Sequence, residues 1–576
     1  MKKLGYIFIS LLLSSCVKNL SGTTGSQGNK LPATGLAASP LLANDPFAPY
    51  LDSVPTVLTT ISSTNSGSGV TAITTRRFTF SSKNGVNTVY AIMAYPQAAG
   101  VYPAILFNHG GGGNAETQLG NVNGYAAMGY VTLAIDQPGI AGTGNTPNSS
   151  GPWKSAAPGE GPRLNVTGGP QNSTLFDAGV AGLQAFNYLA KQSNVNAGRM
   201  GISGTSWGGY MTTMLSGMLG SRVKAAYSIF GCGYYDAGSF WSSMIAALSP
   251  ADQVTWETYL DAGRRAPGMT APYFIEEPSN DTYFWPEAVT ATLNAIPGTK
   301  DHVIMPNLNH MELTAAGTMK QLYMAYYLKG TGSPFSSINI TGTTKQADGS
   351  LLITMNASLP ASISVSSVQL YYSVPTANWQ TRNWQSLPAV AISGTTYQAM
   401  IPASLVDSNV NYYGYLVDSR TVTTSTAMGN LNHMPANGMY RIVSRSSGLV
   451  LDVTGKITAN GTLVQQWPYD SGSNQQWMVT SLGGGQYKII GVQSGRALDV
   501  AGASTADSAA IDIFDYKAST NQIWVITPAT GSYYTIASVK SGKLLDVTGN
   551  STAQGTRIQQ WHATGGSNQQ WAFQAP

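Results

Sequence analysis

Leu-Asp-Val occurs three times in the last third of the chain, at 451–453, 498–500 and 545–547, and Gln-x-Trp follows each time. The Gln-x-Trp motifs that end at Trp477, Trp524 and Trp571 keep one spacing, so both motifs repeat every 47 residues. A unit repeated at fixed period buries its apolar face only against its neighbours, so three copies must fold as one body. That constraint takes residues 436–576. The chain has 576 residues, too many for a single core, so the remainder must hold further domains.

Charged residues make up only 10% of the chain, against about 25% in an ordinary soluble domain. The polar surface therefore falls to Ser, Thr, Asn, Gln and Gly. A net charge of +4 with no basic run excludes an electrostatic footprint for nucleic acid. The aromatic content (12 Trp, 30 Tyr, 14 Phe) excludes a disordered chain, and two Cys exclude a disulfide framework or a Cys-rich zinc site. This balance suits an extracellular protein that touches neutral polymers.

The N-terminus carries Lys2 and Lys3 and then an apolar run, Leu4 to Leu13, too short to span a bilayer as a helix. It ends in Leu13-Ser14-Ser15-Cys16, which resembles the lipobox of bacterial lipoproteins. The resemblance implies cleavage of residues 1–15 and acylation of the Cys16 thiol; the alternative is an ordinary secretory signal. Val17 offers no Asp-type retention signal, so the expected place is the outer membrane or cell surface, or secretion. Residues 16–50, rich in Gly, Ser, Thr and Pro, read as a tether.

From Arg77 onward short apolar runs alternate with helical periodicity. Phe78–Phe80, Thr88–Tyr95, Tyr102–Asn108, Tyr130–Ile135 and Arg199–Ile202 read as strands, and Asp177–Lys191 and Tyr210–Leu219 as helices. The alternation predicts a parallel sheet covered on both faces. Strand 199–202 enters Gly204-Thr205-Ser206-Trp207-Gly208-Gly209 and a helix follows. That is the context of a nucleophile elbow, where flanking glycines permit a sharp turn that lifts Ser206 above the sheet.

A serine hydroxyl needs a base. His109 lies in a glycine run, His302 opens the strand His302–Met305, and His433 and His562 fall in later segments. His310 stands on the loop after the last strand, before a helix at Met319–Leu328. The acid is sought between nucleophile and base. Asp281 follows the strand Pro272–Ile275 in a loop, with Glu276, Glu277 and Asp236 as alternatives.

These motifs, with His109-Gly110-Gly111-Gly112 and Asn309-His310, resemble the α/β-hydrolase superfamily, in the branch of acetyl xylan esterases, dienelactone hydrolases and prolyl-oligopeptidase-like proteins. The resemblance implies a catalytic domain over 51–332 with Ser206, Asp281 and His310 as the triad. It implies an oxyanion hole from the N–H of Trp207 and that of Gly111 or Gly110, each donor worth about 3 kcal/mol of barrier. Pro278-Ser279 stands where many relatives carry a glycine turn. The role of the loop Gly139 to Thr174 is left open, shaping or covering the site.

Residues 333–432 lose helical periodicity and read as short strands, which predicts a β-sandwich of immunoglobulin or fibronectin type. Its Tyr371, Tyr372, Trp379 and Trp384 are expected mainly in packing, with sugar binding as the rival role. The three repeats at 47-residue spacing, with Gln-x-Trp ending at Trp477, Trp524 and Trp571, resemble the ricin-B-type β-trefoil. The resemblance implies one sugar site per lobe: Asp452, Trp467 and Asn474; Asp499, Phe514 and Asn521; Asp546, Trp561 and Asn568. A carboxylate takes hydrogen bonds from sugar hydroxyls while an aromatic face packs on the C–H face. Phe514 lacks a polar edge, making the middle site the weakest. Val450, Ala497 and Leu544 stand where many relatives carry a disulfide Cys.

The expectation is a surface-anchored serine esterase for an esterified, most simply O-acetylated, polysaccharide such as xylan. It needs no metal or cofactor, has a glycan as partner, touches membrane only through a lipid, and binds no nucleic acid; no oligomeric state is implied. The rivals are a prolyl-oligopeptidase-type peptidase, for which no propeller segment precedes the catalytic region, and a lectin or adhesin on an inactive hydrolase scaffold.

Overall fold

The computed structural model of the chain describes residues 44–157, 159–374, 378–406, 410–429, 435, 438–483, 486–529, 533–574 and 576. The expected leader, Cys16, most of the expected tether and His433 lie outside the described residues.

Nine strands form one sheet: β1 (Val57–Ser66), β2 (Ile73–Ser82), β3 (Asn87–Pro96), β4 (Tyr102–Asn108), β5 (Val131–Ile135), β6 (Val195–Thr205), β7 (Ala225–Ile229), β8 (Tyr273–Pro278) and β9 (Lys300–Met305). Their order is β1-β2-β3-β5-β4-β6-β7-β8-β9. The sheet is mixed rather than wholly parallel. β1, β2 and β3 pair antiparallel, β3 meets β5 antiparallel, and pairing is parallel only from β5 to β9. β1 has no apolar run because it is an edge strand with most of its residues exposed, which hides it from a search for buried periodicity.

The parallel strands are buried on both faces, and alternate residues feed two separate cores. Leu106 and Ile202 enter one, with the helices Thr174–Ala190 and Trp207–Leu219; Ile105, Phe107 and Ile229 enter the other, with Leu119–Ala127 and Ala316–Met324. Helix Thr174–Ala190 starts at Ser173, whose Oγ accepts the Leu175 N–H at 3.1 Å. The last helix passes into a π-helical turn at Ala325–Lys329 and ends at Gly330 in the left-handed region.

Residues 337–425 form two four-stranded antiparallel sheets. One is β10 (Ser337–Lys345), β11 (Leu351–Ser358), β15 (Thr396–Ile401) and β14 (Val390–Ser393); the other is β13 (Gln385–Pro388), β12 (Val365–Ser373), β16 (Asn411–Asp418) and β17 (Thr423–Ser425). Ile338, Ile353, Met355 and Ile401 of the first share a core with Val368, Leu370 and Leu416 of the second. Trp379 and Trp384 do not face solvent: they pack with Tyr413, Met428 and Ile304 of β9.

The last segment forms a twelve-stranded sheet system with threefold internal regularity. Trp477, Trp524 and Trp571 are fully buried in one cluster. Their indole N–H groups donate to the carbonyls of Leu451, Leu498 and Leu545 at 3.1, 3.0 and 3.0 Å, tying each Gln-x-Trp to its own Leu-Asp-Val. Val450, Ala497 and Leu544 lie opposite Trp467, Phe514 and Trp561, so apolar cross-strand pairs stand at the positions without Cys.

Candidate active site

β6 ends at Thr205 and the helix Trp207–Leu219 begins two residues later, so the chain must reverse at Ser206. Ser206 has φ 59° and ψ −121°, a conformation that costs a non-glycine residue about 1–3 kcal/mol and persists only where its surroundings enforce it. They do so here. The Ser206 N–H donates to Ile229 O at 2.8 Å, and the Ser206 carbonyl accepts from Tyr210 at 3.0 Å. The glycines are required by close approach: a Cβ on Gly204 would lie 2.4 Å from Gly208 O, and one on Gly208 2.2 Å from Asn108 O. The hydroxyl thus stands at the N-terminal end of a thirteen-residue helix, where partial positive charge favours a developing anion.

His310 Nε2 lies 2.8 Å from Ser206 Oγ, and His310 Nδ1 lies 2.9 and 3.1 Å from the two carboxylate oxygens of Asp281. With Nδ1–H donating to the carboxylate, Nε2 is left as acceptor for the serine hydroxyl; the tautomer is assigned from these partners. Asp281 is fully buried, and its Oδ1 also accepts the N–H groups of Tyr283 and Phe284 at 2.6 and 3.1 Å. Asn309 links acid and base loops: its Oδ1 accepts from Thr282 N at 2.9 Å and from His310 N at 2.8 Å.

The alternative acids lie elsewhere. Glu276 accepts from Tyr227 Oη at 2.7 Å, and burial pushes its carboxyl up to about 7. Burial likewise raises Glu277 well above the usual carboxylate range. Among the described residues neither hydrogen-bonds His310. Asp236 pairs with Arg264 at 2.8 Å. Pro278-Ser279, in place of a glycine turn, is absorbed by continued pairing: the Ser279 N–H donates to Met305 O and the Asn280 N–H to Leu308 O, both at 3.0 Å.

His109 is buried, and burial lowers its imidazole to about 4, so it is neutral. Its Nδ1–H donates to Gly110 O at 2.8 Å, and its Nε2 accepts the Gln137 N–H at 3.0 Å. The ring therefore shapes the glycine turn. The N–H of Gly112 is bonded to Ile140 O and that of Gly113 to Gly110 O. Those of Gly110, Gly111 and Trp207 have no partner among the described residues. A Cβ on Gly111 would meet Trp207 Cδ1 at 2.8 Å and one on Gly110 the Ser206 Cβ at 3.4 Å, which places the glycine run against the nucleophile turn.

Aromatic rings wall the site. Phe230 and Tyr283 lie 4.5 and 4.8 Å from the His310 ring, and Trp241 lies 4.8 Å from Trp207. The 139–174 loop reaches this wall through Arg163. Its guanidinium sits 5.0 Å over Trp207, pairs with Glu160 at 2.7 Å and donates to Gly139 O at 3.0 Å.

Sequence reasoning expected Trp379 and Trp384 in packing but missed the hydrogen bonds around them. Gln380 Nε2 donates to Asp281 O at 2.9 Å, and Asn280 Nδ2 donates to Arg382 O at 2.7 Å. Trp384 and Asn307 exchange two hydrogen bonds of 2.8 Å, and Trp379 Nε1 donates to Glu287 Oε2 at 2.7 Å. Residues 379–384 thus hold the loop that carries Asp281 in place.

In the trefoil, the expected sugar-site residues come together within each lobe. Asp452 accepts from Asn474 at 2.6 Å, Asp499 from Asn521 at 2.7 Å and Asp546 from Asn568 at 2.8 Å. Trp467, Phe514 and Trp561 are half-buried one strand away. Sequence reasoning missed the further donors Gln465 and Gln475 on Asp452, and Gln559 and Gln569 on Asp546. The 47-residue alignment contains that signal.

Residues 54–236 match the family described as Acetyl xylan esterase (AXE1), and residues 431–514 and 520–575 match the Ricin-type beta-trefoil lectin domain-like family. No curated protein matches the chain. Among solved structures, the acetyl xylan esterase 1 of Thermoanaerobacterium sp. JW/SL YS485 is 19% identical, over 48% of this chain and 91% of that one, with a TM-score of 0.40. The acetyl xylan esterase of Paenibacillus sp. R4 is 18% identical over 46% and 88%, with a TM-score of 0.39. The designed threefold-symmetric protein ThreeFoil is 41% identical over 24% of this chain and all of that one, with a TM-score of 0.24. The chain joins a carboxylic ester hydrolase domain of acetyl xylan esterase type to a ricin-type trefoil lectin domain.

Proposed function

We propose that this protein is an exported serine esterase that removes acyl groups, most simply acetyl, from a polysaccharide such as xylan, and that its trefoil holds it on that polymer. The observation that carries the reading is the continuous relay Ser206–His310–Asp281, with hydrogen bonds of 2.8 and 2.9 Å.

In the proposed reaction His310 Nε2 takes the Ser206 proton as Oγ bonds to the ester carbonyl carbon. The carbonyl oxygen becomes an oxyanion, received by the N–H of Trp207 and of Gly111 or Gly110. His310 then returns the proton to the departing sugar hydroxyl, leaving an acyl-serine. Water, deprotonated by the same imidazole, releases the acid and restores Ser206. Asp281 stabilises the imidazolium throughout. The glycine turn needs no rearrangement to serve, because His109 already fixes it. The two-sheet segment, read as an immunoglobulin or fibronectin-like sandwich, contributes the support of the acid loop rather than a sugar site. A screen of acetylated xylan against short proline-containing peptides tests the reading: acetate release without peptide cleavage is expected, and the reverse would assign a peptidase.

The trefoil raises local concentration without touching the active site. Deleting 436–576 is expected to leave hydrolysis of a soluble aryl acetate within about twofold while turnover on insoluble acetylated xylan falls by about tenfold or more. Replacing Asp452 and Asp546 together by alanine in the full chain should reproduce most of that fall. Equal activity of the truncated enzyme on both substrates would remove the targeting role.

Lipidation at Cys16 and an outer-membrane or cell-surface location belong to the same proposal, supported by Leu13-Ser14-Ser15-Cys16. Cys16→Ser should move the protein from the membrane fraction to the soluble or uncleaved one; unchanged fractionation contradicts the anchor.

A further inference from the structure

The three lobes of the trefoil are not chemically alike. In the first, Gln465 Nε2 donates to Asp452 Oδ1 at 2.9 Å, and in the third Gln559 Nε2 donates to Asp546 Oδ1 at 2.9 Å. The residue at the same place in the middle lobe is Asp512, directly opposite Asp499 on the paired strand, just as Gln465 faces Asp452 and Gln559 faces Asp546. An amide donor has been replaced by a second carboxyl group. Asp512 is only 6% exposed and Asp499 5%, and Asp512 Oδ1 has no hydrogen-bond partner among the described residues. Two carboxylates held this close and this dry cannot both stay ionised at little cost, and the arrangement is relieved when one carries a proton and donates it to the other.

We propose that the middle lobe takes up glycan only while Asp512 is protonated, so that a pH-gated sugar site stands between two that carry an amide donor, Gln465 or Gln559, at the same place. The inference rests on the glycan-binding reading of the trefoil. As a carboxylic acid, Asp512 does what Gln465 and Gln559 do: its O–H donates to Asp499 and holds that carboxylate toward the sugar hydroxyls. As a carboxylate it has nothing to donate and repels Asp499.

Most groups facing the pair are uncharged; Lys517 and the Gln522 amide act on Asp499. The strand Thr462–Trp467 presents uncharged Leu463 opposite Asp512, and neighbouring Ala510 bridges to uncharged Gln559. Asp499 takes the Asn521 amide at 2.7 Å and feels the charge of Lys517, whose Nζ lies 5.3 Å over the Phe514 ring. Asp515 at the rim is paired with Arg496 at 3.3 Å. Burial and the charge of Asp499 raise Asp512 to about 7, within reach of environmental pH. The sign follows. The folded-state value lies above the ordinary 3.8, so stability from this pair is full below that value and is lost as pH rises through about 7.

The test uses full-length protein. Asp452→Ala with Asp546→Ala silences the outer lobes and leaves the middle one, with and without Asp512→Gln; insoluble acetylated xylan and galactose-agarose are the probes. Retention of the double variant should fall by about tenfold or more between pH 5.5 and 8.5, as the protonated fraction drops by roughly thirtyfold around a midpoint near 7. Adding Asp512→Gln should hold retention level across that range. Separately and without glycan, the Tm difference between wild type and Asp512→Asn should change across pH 5 to 8. A pH-independent double variant overturns the proposal, as does pH dependence that survives Asp512→Gln. Absence of retention at every pH, while wild type is retained, removes the middle lobe as a sugar site and the proposal with it. Recovery at pH 8.5 on adding calcium, lost again with EDTA, assigns the pair to a cation instead of a proton and also overturns it. If wild type itself is retained on neither probe, the glycan reading fails and the gate falls with it. The Tm series then still shows whether the pair titrates.

Discussion

Ser206→Ala will lose hydrolysis of p-nitrophenyl acetate by about six orders of magnitude in kcat, the scale seen when a triad nucleophile is removed, while fold and glycan retention stay as in wild type. The structural reason is specific. The oxygen removed is the one 2.8 Å from His310 Nε2, at a turn held by backbone bonds and glycine contacts that do not involve the hydroxyl. Alanine can occupy that turn at the conformational cost serine already bears, so loss of activity is not loss of structure. Steady-state kinetics beside a thermal melt separates the two. A variant with even a tenth of wild-type turnover would show that another group attacks the ester.

Asp281→Asn should cost about 10⁴ in kcat, and here the geometry states which atom is at fault. Asp281 Oδ1 is held by the N–H groups of Tyr283 and Phe284. In asparagine the carbonyl oxygen must keep that position, so the amide NH2 takes the place of Oδ2, facing His310 Nδ1. A donor there forces Nδ1 to accept and puts the ring proton on Nε2, where it can no longer receive the proton of Ser206. The measurement is kcat for the aryl acetate from pH 6 to 9, because a wrong tautomer is not rescued at neutral pH. A loss below tenfold, with a large loss on replacing Glu276 or Glu277, would move the acid.

Much of the candidate site's geometry was legible because its parts are local in the chain. The strand, the Gly-x-Ser-x-Gly turn and the helix adjoin one another, and the glycines are needed where a Cβ would lie 2.4 Å or less from backbone oxygen. His310 could be singled out because only five His exist and four stand in evident other places. The threefold repeat was legible because periodicity is a property of sequence. What was hidden is long-range. Gln380 supports Asp281 from 99 residues away, and nothing in the intervening chain marks that contact. β1 escaped because an exposed edge strand has no burial pattern to read. Trp379 and Trp384 were expected in core or interdomain packing, and they pack against Ile304, but which residues they meet depends on two domains coming together. Asp512 is a different case. It breaks the pattern Gln465, Asp512, Gln559 in plain view, but its meaning needs the cross-strand register that sets it against Asp499.

The proposed reaction passes through a covalent bond at one atom, and rapid acid quench with peptide mass analysis reaches it directly. Wild type mixed with an acetylated xylo-oligosaccharide should carry one acetyl group on the peptide Met200 to Arg222, at Ser206, during turnover, and none after the substrate is spent. Ser206→Ala should carry none at any time. Acetate released with no acetyl ever found on Ser206, or an acetyl group on a different residue in wild type and variant alike, would contradict the mechanism.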